Sequence, residues 1–233
     1  MTTLLSIFLL NACKKENQDH QEGPGGPRIT ITKTAAAKSD WTLYIEAAEA
    51  DRSEIWVDLN SNGTKDDGEA VTKFGQGYAD RNVFALGTSK TIILYGKVTV
   101  LLCHHSELAK LDVSKNTSLK ELNCLNNKLT ELDVSKNIAL EKLNCFSNQL
   151  TALNLSANPD IKNIQVYNNR IPAANMTQLT SSLPARTAAD AAALYVRQAT
   201  DNNSRPAATD IAAAKAKKWK LYEFVDGIGW TEL

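Results

Sequence analysis

Residues 111–150 read LDVSKNTSLK ELNCLNNKLT ELDVSKNIAL EKLNCFSNQL, one phrase said almost twice. A single cysteine returns in it where a leucine would serve. Cys103, Cys124 and Cys145 are each 21 residues apart. The same step links Leu111, Leu132 and Leu153, and Val113, Val134 and Leu155. It also links Leu119, Leu140 and Ile161, then Leu122, Leu143 and Ile164, then Leu108, Leu129, Leu150 and Ile171. Two asparagine series keep it as well: Asn116, Asn137, Asn158, and Asn127, Asn148, Asn169. So many coincident positions at one period define an internal repeat.

Each unit contains L-x-x-L-x-C-x-x-N-x-L, as in Leu119, Leu122, Cys124, Asn127 and Leu129. This matches the leucine-rich repeat signature, in which cysteine is an accepted core residue. A unit of this kind gives one short strand and a returning segment. Its apolar residues cannot be hidden alone, so units stack and share a core. The asparagine side chain satisfies backbone groups in the turn after the strand.

The cysteines then form a ladder inside the stack. Adjacent strands lie about 4.8 Å apart with Cβ vectors parallel. A disulfide needs Cβ atoms about 3.8 Å apart and facing each other. Unpaired thiols acting as small apolar side chains fit better. The run Cys103-His104-His105 invites a metal, but consecutive strand residues alternate faces, so Cys103 and His104 do not share an ion.

The 21-residue, cysteine-bearing phrase of residues 98–173 resembles the repeats of internalin J-type bacterial surface leucine-rich repeat proteins. The resemblance rests on L-T-x-L-D-V-S-x-N recurring together with L-x-x-L-x-C-x-x-N. It implies an adhesin or interaction module of the cell envelope. The chain departs in being short, and Val166 replaces the cysteine in the fourth unit.

If Leu122 and Cys124 point in, their neighbours point out. One outward column is then His104, Leu125, Phe146 and Tyr167; the one before it is Leu102, Asn123, Asn144 and Gln165. Further columns are Val100, Glu121, Lys142, Asn163, and His105, Asn126, Ser147, Asn168. An apolar, aromatic ridge between uncharged amides suits a protein or glycan ligand. The competing reading is that Phe146 and Tyr167 only cover leucines or face a cap. Four strands span under about 20 Å, less than one side of a standard interface.

Before the repeats, RITITK, WTLYIEA, EIWVDLN, VFALG and KTIILYGKVTVLL have strand patterning. Residues 28–97 read as a small antiparallel β unit, a cap on the solenoid or an immunoglobulin-like stalk. Within it, Asp58, Asn60, Asn62, Gly63, Thr64, Asp66 and Glu69 fit the calcium-loop pattern D-x-[DN]-x-[DN]-G-x5-E. Alternating oxygen ligands, a glycine turn and a closing glutamate suit a structural Ca²⁺. A polar hairpin turn is the plainer reading.

After Ile171, MTQLTSSLP predicts a short helix, ALYVRQ a strand, and TDIAAAKAKKW a helix capped by Thr209 or Asp210. KLYEFV predicts a last strand and GIGWTEL a tail, so residues 174–233 close the stack. The fold class expected is a β-rich α/β chain: a short leucine-rich-repeat solenoid with parallel strands, a β cap before it and an α/β cap after it.

At the other end, the apolar run Leu4–Leu10 is followed by Leu10-Asn11-Ala12-Cys13, which resembles a bacterial lipobox. The expectation is a signal peptide over 1–12 and a lipidated Cys13, which gives membrane attachment without a spanning helix. No Lys or Arg precedes the run, and Asn11 is not the usual small residue. Residues 13–27, charged and rich in Gly and Pro, read as a tether.

Lys+Arg and Asp+Glu are equal at 26 each, so no basic excess attracts nucleic acid. There is no G-x-S-x-G, H-E-x-x-H or P-loop, and the three histidines are His20, His104 and His105. The chain reads as a monomeric, lipid-anchored binding protein of the outer membrane or cell surface. An architectural subunit of a surface complex is the alternative, and an enzyme is disfavoured.

Overall fold

The alternation in RITITK and WTLYIE produces strands with one buried side each. In a computed structural model, which describes residues 25–198 and 202–233, β1 spans Arg28–Lys33 and β2 spans Trp41–Glu46. Ile29, Ile31, Trp41, Leu43 and Ile45 are buried, while Thr42, Tyr44 and Glu46 look outward. Strands β3 (Trp56–Asp58), β4 (Asn82–Phe84) and β5 (Thr91–Tyr95) follow. Gly96 ends β5 at φ 98°, where a Cβ would stand 2.8 Å from the Glu54 carbonyl oxygen, so only glycine fits. The proposed lipid site at Cys13 and most of the tether lie outside the described residues.

The repeat then supplies one strand per coil: β6 (Val100–Leu102), β8 (Glu121–Asn123), β9 (Lys142–Asn144) and β10 (Asn163–Gln165). An additional strand, β7 (Leu108–Asp112), runs along the opposite side of the first coil. The parallel register is the sequence period made physical: Leu101, Leu122, Leu143 and Ile164 pair in turn. Each is at most 1% exposed.

The chain closes with α1 (Ala173–Ser182), β11 (Ala193–Gln198), α2 (Ala208–Ala216), β12 (Lys220–Val225) and β13 (Gly229–Glu232). Two of these differ from expectation. The N-cap of α2 is Ala207; Asp210 sits two residues inside the helix, where its carboxylate accepts from the Ala207 N–H. GIGWTEL is not a tail but the return strand of a hairpin with β12, because Gly227 and Gly229 turn at positive φ.

Two sheets result. One has four strands, β3-β5-β1-β7, and the other nine, β13-β12-β11-β10-β9-β8-β6-β2-β4. Residues 28–97 therefore do not stand apart as an immunoglobulin-like unit. Strand β2 pairs antiparallel with β6, Tyr44 opposite Leu102, and β1 pairs antiparallel with β7, Ile31 opposite Leu111. One contiguous apolar cluster runs from Ile29 to Leu221. The switch to antiparallel pairing covers the open end of the stack, which would otherwise expose core.

Candidate functional site

The site is built from positions that the coil forces outward. Cys103, Cys124, Cys145 and Val166 are all 0% exposed and fill the same inward slot. The three thiols are free. Burial pushes each of them up, Cys124 from 9.0 to about 12, so they are neutral and unreactive in the folded protein. His104 points the other way, as alternation requires.

Behind the strands, asparagines hold the coils together. Asn127 Oδ1 accepts from the Ser106 and Leu108 N–H groups, and its Nδ2 donates to the Cys103 and Cys124 carbonyls. Asn148 and Asn169 repeat this one and two coils on. Asn203 continues the series: it accepts from the Ile171 N–H and donates to Val166 and Val196. A fixed 21-residue step cannot find Asn203, because α1 lengthens the coil. Ile164 pairs with Leu194, thirty residues on.

The outward rows are as expected over the repeats. Glu121, Asn123, Asn144, Asn163 and Gln165 are half-buried and in register. So are Leu125, Phe146 and Tyr167 just beyond the strands, with Phe146 and Tyr167 stacked at 4.3 Å and 12°. Asn144 Oδ1 lies within the amide row without a protein partner. The column His105, Asn126, Ser147 and Asn168 has a different origin from recognition. All four residues are left-handed, φ 52–54°, and form the bend that ends each strand. Polar residues tolerate that bend best.

The face is much larger than four strands. The amide row Asn123, Asn144, Gln165 continues into Tyr195 and then Tyr222, which stack at 5.0 Å. Trp230, from the closing hairpin, meets Tyr167 and Tyr195 edge-on, both at 4.9 Å, and Phe224 at 5.4 Å. At the opposite end Tyr44 stacks on His104 at 5.6 Å. Burial, and then the neighbouring His105, hold the His104 imidazole below its ordinary value. Tyr44, Tyr195, Tyr222, Phe224 and Trp230 escape the periodicity because they lie on strands of other spacing.

The 58–69 loop brings its oxygens together at the end of β3. Asp58 is 0% and Glu69 2% exposed. Asp58 accepts from the N–H groups of Asn60, Asn62 and Gly63, the last at φ 77°. Glu69 accepts from Leu59 and Asp66 N–H. Asn60 and Asn62 donate their amides to Asp66 Oδ2, while Thr64 donates its hydroxyl to Asn62 Oδ1. Those side-chain hydrogen bonds hold Asp66 below the usual carboxylate range. Two buried carboxylates, a third carboxylate and amide oxygens suit a hard cation. Accepting one requires Asn60 and Asn62 to turn their oxygens inward. Among the described residues no group of three or more His, Cys, Asp and Glu is placed to hold a metal, the three carboxylates of this loop included.

Among the solved structures similar to this chain are two from Listeria monocytogenes. One is the functional domain of InlJ from Listeria monocytogenes, which includes a cysteine ladder: 23% identity, TM-score 0.36, covering 48% of this chain and 28% of that one. The other is the internalin InlF from Listeria monocytogenes: 14% identity, TM-score 0.32, covering 54% and 46%. The chain thus spans less than half the length of either. No family model and no curated protein matches it. The leucine-rich-repeat-like, β-rich architecture stands on the register and burial of the chain's own residues.

Proposed function

We propose that this protein is a lipid-anchored, adhesin-like binding protein of the bacterial cell envelope. Its ligand, a protein or a glycan, docks on the strand face formed by His104, Leu125, Phe146 and Tyr167 with Asn123, Asn144 and Gln165. The observation that carries the reading is that face: half-buried aromatic rings beside a row of amides, on a rigid sheet. Rigid elements position binding groups better than loops do. No helix among the described residues is long and apolar enough to cross a membrane. Attachment is assigned to a lipid on Cys13. Metabolic labelling with an alkynyl fatty acid tests it, with Cys13→Ser expected to abolish the label.

The binding reading is tested by Phe146→Ser with Tyr167→Ser. Binding of intact cells to matrix protein or glycan surfaces is expected to fall, with the fold retained. Unchanged binding favours the alternative, an architectural subunit; the contact of Trp230 with Tyr167 shows that part of this ridge already packs against the closing hairpin. An antibody to residues 98–173 decides orientation. Signal only after lysis removes the adhesin reading.

The 58–69 loop is assigned a structural Ca²⁺ held by Asp58, Asn60, Asn62, Thr64, Asp66 and Glu69. Trp56, two residues before Asp58 and stacked on Tyr95 at 4.5 Å, is a built-in sensitiser. Added Tb³⁺ is expected to luminesce on excitation of tryptophan, with Ca²⁺ competing and Asp58→Ala abolishing the signal. No luminescence in the wild-type protein leaves the loop a plain polar turn.

A further inference from the structure

Each charged side chain on the strands of the recognition face has a partner of opposite sign. Glu121 meets Lys142 at 3.1 Å, and Lys220 meets Glu232 at 3.6 Å. Glu223 meets Arg197 at 3.6 Å and Arg205 at 3.2 Å. Glu46 meets Arg52 at 3.8 Å. These pairs cancel most of the charge on the face, so a charged ligand finds little net field to attract it. An uncharged ligand disturbs none of them.

The rest of the face has a definite chemistry. Each amide of Asn123, Asn144 and Gln165 carries both donors and an acceptor. Asn123 Oδ1 already accepts from the Leu125 N–H and Asn144 Oδ1 is buried, so these two offer Nδ2 donors, which a ligand hydroxyl accepts. The row runs into a packed aromatic cluster, Tyr195 stacked on Tyr222 and Phe146 on Tyr167, with Trp230 against both Tyr167 and Tyr195 and still 38% exposed. An aromatic face is the negative end of a quadrupole. The C–H faces of a sugar ring, polarised by neighbouring oxygens, are its complement.

We propose that the strand face binds a neutral polysaccharide. A sugar ring stacks on Trp230, hydroxyls accept from the Asn123 and Asn144 amides, and Gln165 exchanges hydrogen bonds with them in both senses. The inference rests on the strand face being the binding surface and names the ligand class for it.

The test is native electrophoresis of the full chain through gels containing galactomannan, mixed-linkage β-glucan or arabinan. Alginate and chondroitin sulfate are the anionic counterparts. Retardation by at least one neutral polymer is expected, unchanged by added salt because no ion pair forms. Trp230→Ala, on the exposed hairpin, is expected to weaken it roughly tenfold. Asn144→Ala gives a second, independent reduction, and thermal melting checks that both variants are folded. Retardation by anionic polymers alone, retardation by none, or neutral binding unchanged in both variants overturns the proposal. If no neutral polymer binds but a protein ligand is captured and lost with Phe146→Ser and Tyr167→Ser, the face survives and the glycan does not. If those substitutions alter no binding at all, both fail.

Discussion

At the scale of the residue, the repeat assigns each position a single duty. The cysteines are packing groups whose thiols are kept neutral by burial, with Cys124 raised from 9.0 to about 12. Between those values the unfolded chain releases the proton and the folded chain keeps it. Stability therefore falls as pH rises through that window, by about 1.4 kcal/mol per pH unit for this thiol. Urea titrations from pH 8 upward are expected to show the decline, and Cys124→Val to make it shallower; an identical slope in the variant contradicts the assignment. Asn148 is the opposite kind of residue, polar but buried, joining two coils by bonds to Leu129, Cys124 and Cys145. Asn148→Ala strands several backbone groups, each costing about 1–3 kcal/mol. A loss of about 3–5 kcal/mol is expected in urea denaturation. Asn126→Gly, at an exposed left-handed bend, is expected to change stability by less than about 1 kcal/mol. These duties were legible in the sequence because period and register are the same thing in a coil. The bend column was not: His105, Asn126, Ser147 and Asn168 look like a polar flank until their shared φ is seen.

At the scale of the element, legibility follows local pattern. The five strands before the repeats, the two helices and β11 and β12 all announce themselves by alternation or alanine content. What the pattern cannot give is pairing. Nothing in WTLYIE says that β2 joins β6, or in RITITK that β1 joins β7, because both contacts depend on the whole fold. The closing hairpin was missed for a related reason. Its strand GWTE has one large residue and two glycines before it, so propensity reads it as a tail. Tertiary contact overrides propensity there: Leu233 N–H bonds the Leu221 carbonyl, and Trp230 meets three rings. Removing residues 227–233 is expected to cost about 2 kcal/mol, or roughly 4–8 °C in Tm. An unchanged melting curve would mean that the hairpin adds nothing to the stack.

At the scale of the molecule, inward and outward halves of one coil divide the labour. The inward half makes a single core from Ile29 to Leu221. The outward half is a sheet of nine strands, about 38 Å across, against about 14 Å for the four repeat strands alone. The candidate face was half legible from the sequence. Its amide row and the Phe146–Tyr167 ridge follow the 21-residue step, while Tyr195, Tyr222 and Trp230 arrive on coils of other lengths. The longer coils enlarge the face without changing its direction, because Asn203 repeats the joint made by Asn127, Asn148 and Asn169.

The division between the two halves is open to one direct measurement. In a Cys13→Ser background, native protein is treated with a maleimide and the labelled sites are mapped by mass spectrometry. Companion proteins carry Asn144→Cys or Phe146→Cys. Cys103, Cys124 and Cys145 are expected to stay unlabelled until the chain is unfolded, while the cysteine at 144 or 146 reacts at once. Prompt labelling of any of the native three, or protection of both introduced thiols, would contradict a coil that buries one side and presents the other.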